Sequence, residues 1–293
     1  MVAGKEILLT DTQDFSNAMK KRGAKLGQHF LKSPWVARSL VRAVGITSDD
    51  TVLEIGPGKG ALTRELLAVS KKVVAIEKDE ALARKLRETF EPEIQIGALT
   101  VIAGDIRDIT PEKLGLESGK YVVAANIPYY ITGEIIRQFL TAEEQPRAMA
   151  LLVQKEVAQR IVGSKSAGGG SASGGKESLL SLSVKVYGNP KIVAKVPRGN
   201  FSPPPNVDSA ILLIENISRQ FFSATNEETF FKVIHAGFKS KRKYLLNNLA
   251  TVFKKESVAS AFAICEISLK ARAEDVPLDE WKCMALKLVA RSP

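Results

Sequence analysis

Histidine and cysteine are scarce: 2 of each in 293 residues. Cys265 and Cys283 stand apart with no ligand-type spacing, and only two histidines are present to help them, which argues against a zinc centre. The expectation is no metal, with both cysteines as reduced thiols in a cytoplasmic protein. Long apolar runs are missing as well. None approaches the ~20 residues needed to cross a bilayer, which excludes a spanning helix. Residues 1–14 lack the charged-then-apolar pattern of an export signal. Acidic residues are outnumbered, 32 against 42 basic, giving a formal charge of +10. The excess is clustered at Lys20, Lys21, Arg22 and Lys25, and again at Lys239, Lys241, Arg242 and Lys243. Such clusters favour a polyanionic partner through counterion release, the plain alternative being a solvated surface.

Hydrophobic content of 45% is ordinary for a globular protein, and the length allows one large domain and one small. Short, nearly all-apolar runs recur at 51–55, 72–76, 99–103, 121–125, 148–153, 182–187 and 210–214. Helix-length segments lie between several of them, notably 61–69 and 79–90. Apolar strands alternating with helices indicate a mostly parallel sheet covered on both faces, an α/β, Rossmann-like fold of seven strands. Ligands of such a sheet bind at the carboxyl ends of its strands. Beyond residue 216 the spacing becomes helical (230–238, 242–253, 258–264, 278–290). The expected organisation is a basic extension over 1–24, the sheet domain over 25–216 and a small helical domain over 217–293. The Gly/Ser-rich stretch 165–176 reads as a flexible insert, and Pro203-Pro204-Pro205 as a stiff extended segment.

Four consecutive strands end in chemistry. The first leads into Glu54-Ile55-Gly56-Pro57-Gly58-Lys59-Gly60, where glycines let a ligand touch backbone N–H groups at a helix start. The second ends in Glu77, a carboxylate placed to accept two ribose hydroxyls, while Asp79 reads as the cap of the next helix. The third ends in Gly104-Asp105, an acceptor for an adenine amino group. The fourth delivers Asn126-Ile127-Pro128-Tyr129. An adenine amino nitrogen is a poor nucleophile because its lone pair is delocalised into the ring. A site that alkylates it needs acceptors for its N–H bonds and an aromatic face for the base. Asn126, the Ile127 carbonyl and Tyr129 supply these, and Pro128 removes a donor from a place that needs acceptors. Alone, the four residues make an ordinary turn after a strand. The glycine run followed by Glu77 also satisfies a loose dinucleotide fingerprint, so an NAD enzyme remains open on these residues alone.

Taken in order, these motifs resemble the KsgA-type ribosomal RNA adenine N6-dimethyltransferases. The resemblance begins at Gly27-Gln28-His29-Phe30-Leu31 and includes all four strand ends. It continues through Val153-Gln154-Lys155-Glu156-Val157-Ala158-Gln159-Arg160 and Phe201-Ser202-Pro203-Pro204-Pro205-Asn206-Val207-Asp208-Ser209, and closes on a basic helix over 239–249. It implies an S-adenosylmethionine methyltransferase domain over 25–216 and a C-terminal RNA-binding domain. The cofactor contacts it implies are Gln28, His29, Leu31, Gly56, Gly58, Glu77, Asp105 and Asn126. The family often has Asn where His29 stands. Asn126, Ile127, Pro128 and Tyr129 are implied as catalytic, with Phe201 a candidate second wall for the base. Lys239, Lys241, Arg242 and Lys243 would grip phosphates. Ile127, where a second proline would mark DNA enzymes, favours RNA. The implied reaction is N6-dimethylation of two adjacent adenines in a 3'-terminal hairpin of small-subunit rRNA, by a monomer acting during small-subunit biogenesis. The rivals are an Erm-like large-subunit rRNA methyltransferase and a non-catalytic rRNA-binding assembly factor.

Overall fold

Val52, Leu53 and Ile55 are buried on both sides of their strand, as in the middle of a covered sheet. The structure, a computed structural model, describes residues 28–163 and 176–289. The basic extension and nearly all of the Gly/Ser-rich stretch lie outside them.

The described chain forms two units. One comprises 28–158 and 188–218, the other 159–163, 176–187 and 219–289. In the first, the strands are β1 (Phe30–Leu31), β2 (Thr51–Ile55), β3 (Val73–Glu77), β4 (Leu99–Ala103), β5 (Tyr121–Ala125), β6 (Ala148–Gln154), β7 (Asn189–Val196), β8 (Phe201–Ser202) and β9 (Ser209–Glu215). Seven of them form one sheet in the order β4-β3-β2-β5-β6-β9-β7. Its first five strands are parallel, and β9 joins β6 and β7 antiparallel. The chain runs outward from β2 to β4 and then returns to β5 on the other side of β2. That reversal opens the crevice in which such sheets bind ligands. Separately, β1 pairs with β8, Leu31 opposite Phe201, tying the Gln28–Leu31 segment to the proline-rich one.

Helices cover the sheet. The first, α1 (Pro34–Val44), packs on β5, β6 and β9 and buries Val36, Leu40 and Val44. Next come α2 (Ala61–Leu67), α3 (Glu80–Thr89) and α4 (Glu91–Gln95). Asp79 caps α3 as expected, its carboxylate accepting from the N–H groups of Ala81 and Leu82. Between β5 and β6 lies α5 (Thr132–Leu140), and α6 (Lys155–Val162) follows β6.

One strand-level expectation is corrected, and the unit boundary with it. In the run 182–187, Leu182–Lys185 belongs to α7 (Leu179–Lys185), started by a reciprocal Ser178–Ser181 capping box, and Val186 and Tyr187 form the turn after it. The strand expected there is β7, starting at Asn189. The unit boundary moves accordingly, because 176–187 groups with the C-terminal helices rather than with the sheet.

Those helices are α8 (Glu227–Phe238), α9 (Leu245–Leu249), α10 (Lys255–Ile264) and α11 (Leu278–Val289). The expected basic helix is shorter than its spacing suggests. Lys239, Lys241, Arg242 and Lys243 occupy the exposed turn between α8 and α9, beside the exposed ring of Tyr244. Asn248, 2% exposed, shapes this turn by donating to the carbonyls of Gly237 and Ser240 at 2.7 and 3.0 Å. The thiol expectation is also corrected. Cys265 and Cys283 form a disulfide joining the end of α10 to α11, because antiparallel packing brings together residues that 18 positions separate.

Candidate active site

Strand register sets the site. Ile55 lies beside Ala125 across the β2–β5 pair, so the next residues, Gly56 and Asn126, leave the sheet side by side. The turn after β2 runs through left-handed backbone at Gly58 (φ +59°) and Gly60 (φ +79°). A Cβ on Gly58 would lie 3.0 Å from the Phe30 ring, and one on Gly60 would overlap Phe90 at 2.5 Å. Close approach and positive φ thus both demand glycine at these positions.

Glu77 closes over this turn. One carboxylate oxygen accepts from the Gly58 N–H at 2.9 Å and the other from the Asp79 N–H at 3.0 Å. The Glu77 side chain is 5% exposed and has lone pairs left for a diol. Asp105 sits at the end of β4 but does not wait unengaged. Arg107 grips it at 2.6 Å and Lys78 reaches it at 2.9 Å. The hydrogen bond from Arg107, opposed in part by burial, holds its carboxyl well below the usual carboxylate range. A ligand amino group would share this carboxylate with two cations.

The side chain of Asn126 is oriented by its surroundings. Its Nδ2 donates to the His29 carbonyl at 3.0 Å, which leaves Oδ1 as the acceptor of the amide. The His29 ring donates from Nδ1 to the Pro203 carbonyl at 2.8 Å and stacks on Tyr129 with centroids 5.9 Å apart. Tyr129 is tethered in turn, its hydroxyl 2.7 Å from that of the buried Ser209. Burial raises the Tyr129 phenol above its ordinary value, the Ser209 contact offsetting part of the rise.

Two adjoining cavities meet at Gln28, Gly56, Glu77 and Pro128. The first, about 90 Å³, is lined by His29, Leu31, Glu54, Gly58, Asn126 and Tyr129 among others. The second, about 190 Å³, is lined by Lys78, Gly104, Asp105, Arg107 and Tyr130. All eight expected cofactor contacts and all four motif residues line one or the other.

Phe201 is a correction. It is 1% exposed and belongs to the hydrophobic core beside β1, so it anchors the proline segment and offers no open face to a base. The expectation missed Glu54, a buried carboxyl on the wall of the first cavity, and Ser209, the tether of Tyr129. Both lie inside quoted motifs, but nothing in a linear sequence tells which side of a strand end faces a cavity.

A glycine turn, strand-end carboxylates and an Asn-Ile-Pro-Tyr turn, on a parallel sheet finished by an antiparallel pair, define a Rossmann-like S-adenosylmethionine-dependent methyltransferase. The family model described as ribosomal RNA adenine dimethylase matches residues 19–289, and the chain belongs to that family. It is 38% identical to the ribosomal RNA small subunit methyltransferase A of Dehalococcoides mccartyi strain 195, over 97% of this chain and 94% of that one. It is 36% identical to the protein of the same name from Geobacillus thermodenitrificans, over 90% of each. Among solved structures, the 23S rRNA methyltransferase ErmE aligns with TM-score 0.72 at 24% identity, covering 89% of this chain and 99% of that one. A dimethyladenosine transferase from Plasmodium falciparum gives 0.71 at 24%, covering 89% and 98%. At that identity the two structures establish the fold alone. S-adenosylmethionine fits the residues present: Gly56 and Gly58 bring backbone without side chains to the cavity wall, Glu77 keeps acceptors for a ribose, and Glu54 offers a buried carboxyl.

Proposed function

We propose that this chain dimethylates N6 of two adjacent adenines in a 3'-terminal hairpin of small-subunit rRNA, in the cytoplasm and during small-subunit biogenesis. The observation that carries the reading is the pinned amide of Asn126. With Nδ2 committed to the His29 carbonyl, Oδ1 is the acceptor beside Tyr129 on the cavity wall. S-adenosylmethionine supplies a sulfonium methyl group that is already activated, so the protein needs to orient rather than to activate chemically. In this reading Oδ1 of Asn126 and the Ile127 carbonyl accept the two N–H bonds of the target amino group, which turns its lone pair out of the ring plane. Tyr129 stacks on the extruded base. The N–C bond forms as the C–S bond breaks, and the amino proton leaves to water. Lys239, Lys241, Arg242 and Lys243 hold the rRNA backbone. The small-subunit target is supported by the relatives named above.

Labelled methyl transfer to small subunits lacking the modification tests this, with large-subunit RNA as the comparison. Label recovered as N6,N6-dimethyladenosine from small subunits, and lost with Asn126→Ala, is the expected result. Label on large-subunit RNA instead would move the target. Tight subunit binding without transfer would point to an assembly factor.

A further inference from the structure

Among the described residues, each titratable group on the wall of the first cavity is engaged, except one. Glu77, from β3, accepts from two backbone N–H groups. Lys59, from the glycine turn, is exposed with its ammonium 4.8 Å from the Phe30 ring centroid. His29 bonds the Pro203 carbonyl, and Tyr129 meets Ser209. Glu54, at the end of β2, is 1% exposed, and among the described residues neither carboxyl oxygen has a hydrogen-bond partner of normal geometry. Its polar neighbour Thr63, on α2, is equally buried, and its hydroxyl closes no hydrogen bond of normal geometry.

A carboxyl buried without a hydrogen bond of normal geometry holds its proton more tightly than an exposed one. Burial pushes Glu54 up to about 8, Thr63 lowers it in part, and the negative charge of Glu77 raises it further. At neutral pH Glu54 is therefore a neutral acid on the cavity wall. A cation entering this cavity would reverse the balance, because an opposite charge nearby favours the ionised form.

We propose that Glu54 is a proton-linked counter-ion, which gives up its proton as the positively charged methyl donor binds and takes it back when only the demethylated product remains. The inference rests on the donor occupying this cavity. S-adenosylmethionine carries a sulfonium and an ammonium against one carboxylate, a net charge of +1. S-adenosylhomocysteine has lost the sulfonium charge and is net neutral. Glu54 therefore reads the one difference that matters between substrate and product, the charge at sulfur. A neutral Glu54 gives the product no compensating attraction, so the device favours donor over spent cofactor. Glu54 acts on binding and positioning; the transferred methyl group is not its partner.

The test is calorimetric binding of each ligand to the full chain at pH 6.5, in buffers of different ionisation enthalpy, which counts protons released. Wild type is expected to release close to one proton with S-adenosylmethionine and clearly fewer with S-adenosylhomocysteine. With Glu54→Gln the release attributable to the protein vanishes and the preference for the donor shrinks several-fold. The variant also subtracts any proton contributed by the ligand's own ammonium. In wild type, donor affinity should strengthen by up to roughly tenfold per pH unit below pH 8 and level off above it. If the variant misfolds, the wild-type comparison of the two ligands still decides. Equal proton release with both ligands, or an unchanged count in Glu54→Gln, overturns the proposal. Failure of S-adenosylmethionine to bind wild type at all would instead strike at the cofactor assignment.

Discussion

Asn126 has one acceptor, and the residue 97 positions before it decides where that acceptor faces. Asn126→Ala should therefore leave the fold intact and remove roughly 2–4 kcal/mol of transition-state stabilisation, seen as a loss of about two to three orders of magnitude in methyl transfer. Full activity would sink the assignment. Glu54 yields a second prediction at this scale. Its folded pKa is raised, so between about 4.5 and 8 the folded protein without ligand binds more protons than the unfolded chain. Stability then falls as pH rises through that window. Thermal unfolding should show Glu54→Gln gaining on wild type at pH 8.5 and gaining little at pH 5. A gap that does not change with pH would contradict this. The sequence placed Asn126, Glu77 and Asp105 at the cavities because each follows an apolar run with no intervening turn. It could not place Glu54 as unpaired, or Phe201 as buried. Both depend on what the far side of the strand packs against.

At the scale of elements, nearly continuous apolar runs were legible as strands where both faces are covered, and misled at 182–187. There Leu and Val fall at alternate positions, but Ser178 and Ser181 satisfy each other's backbone groups and start a helix instead. The signal was present in the serine spacing and outweighed by the apolar, β-branched content of the run. The basic turn after α8 depends on a residue without charge. Asn248→Ala would strand two inward-facing carbonyls, costing about 1–3 kcal/mol. Its melting temperature should drop, and RNA affinity should weaken although no cation is removed. Unchanged stability would show that water replaces the amide.

The whole molecule carries its positive charge in clusters, and its described basic turn is exposed. Replacing Lys239, Lys241, Arg242 and Lys243 together by alanine should weaken rRNA binding and flatten the slope of log affinity against log salt by about 3–4. Loss of affinity with an unchanged slope would mean that these residues act through folding rather than on phosphates. The sequence by itself determined the class of fold, the order of the strand-end motifs and the chemistry they allow. These are local facts: apolar runs demand burial, and glycines permit positive φ beside a ligand. Only tertiary structure decided the disulfide, the helical partnership of 176–187, the commitment of the Asn126 amide to His29 and the isolation of Glu54. Each of these depends on residues far apart in the chain meeting in a packed interior, where a polar group finds a partner or lacks one according to what the fold brings beside it.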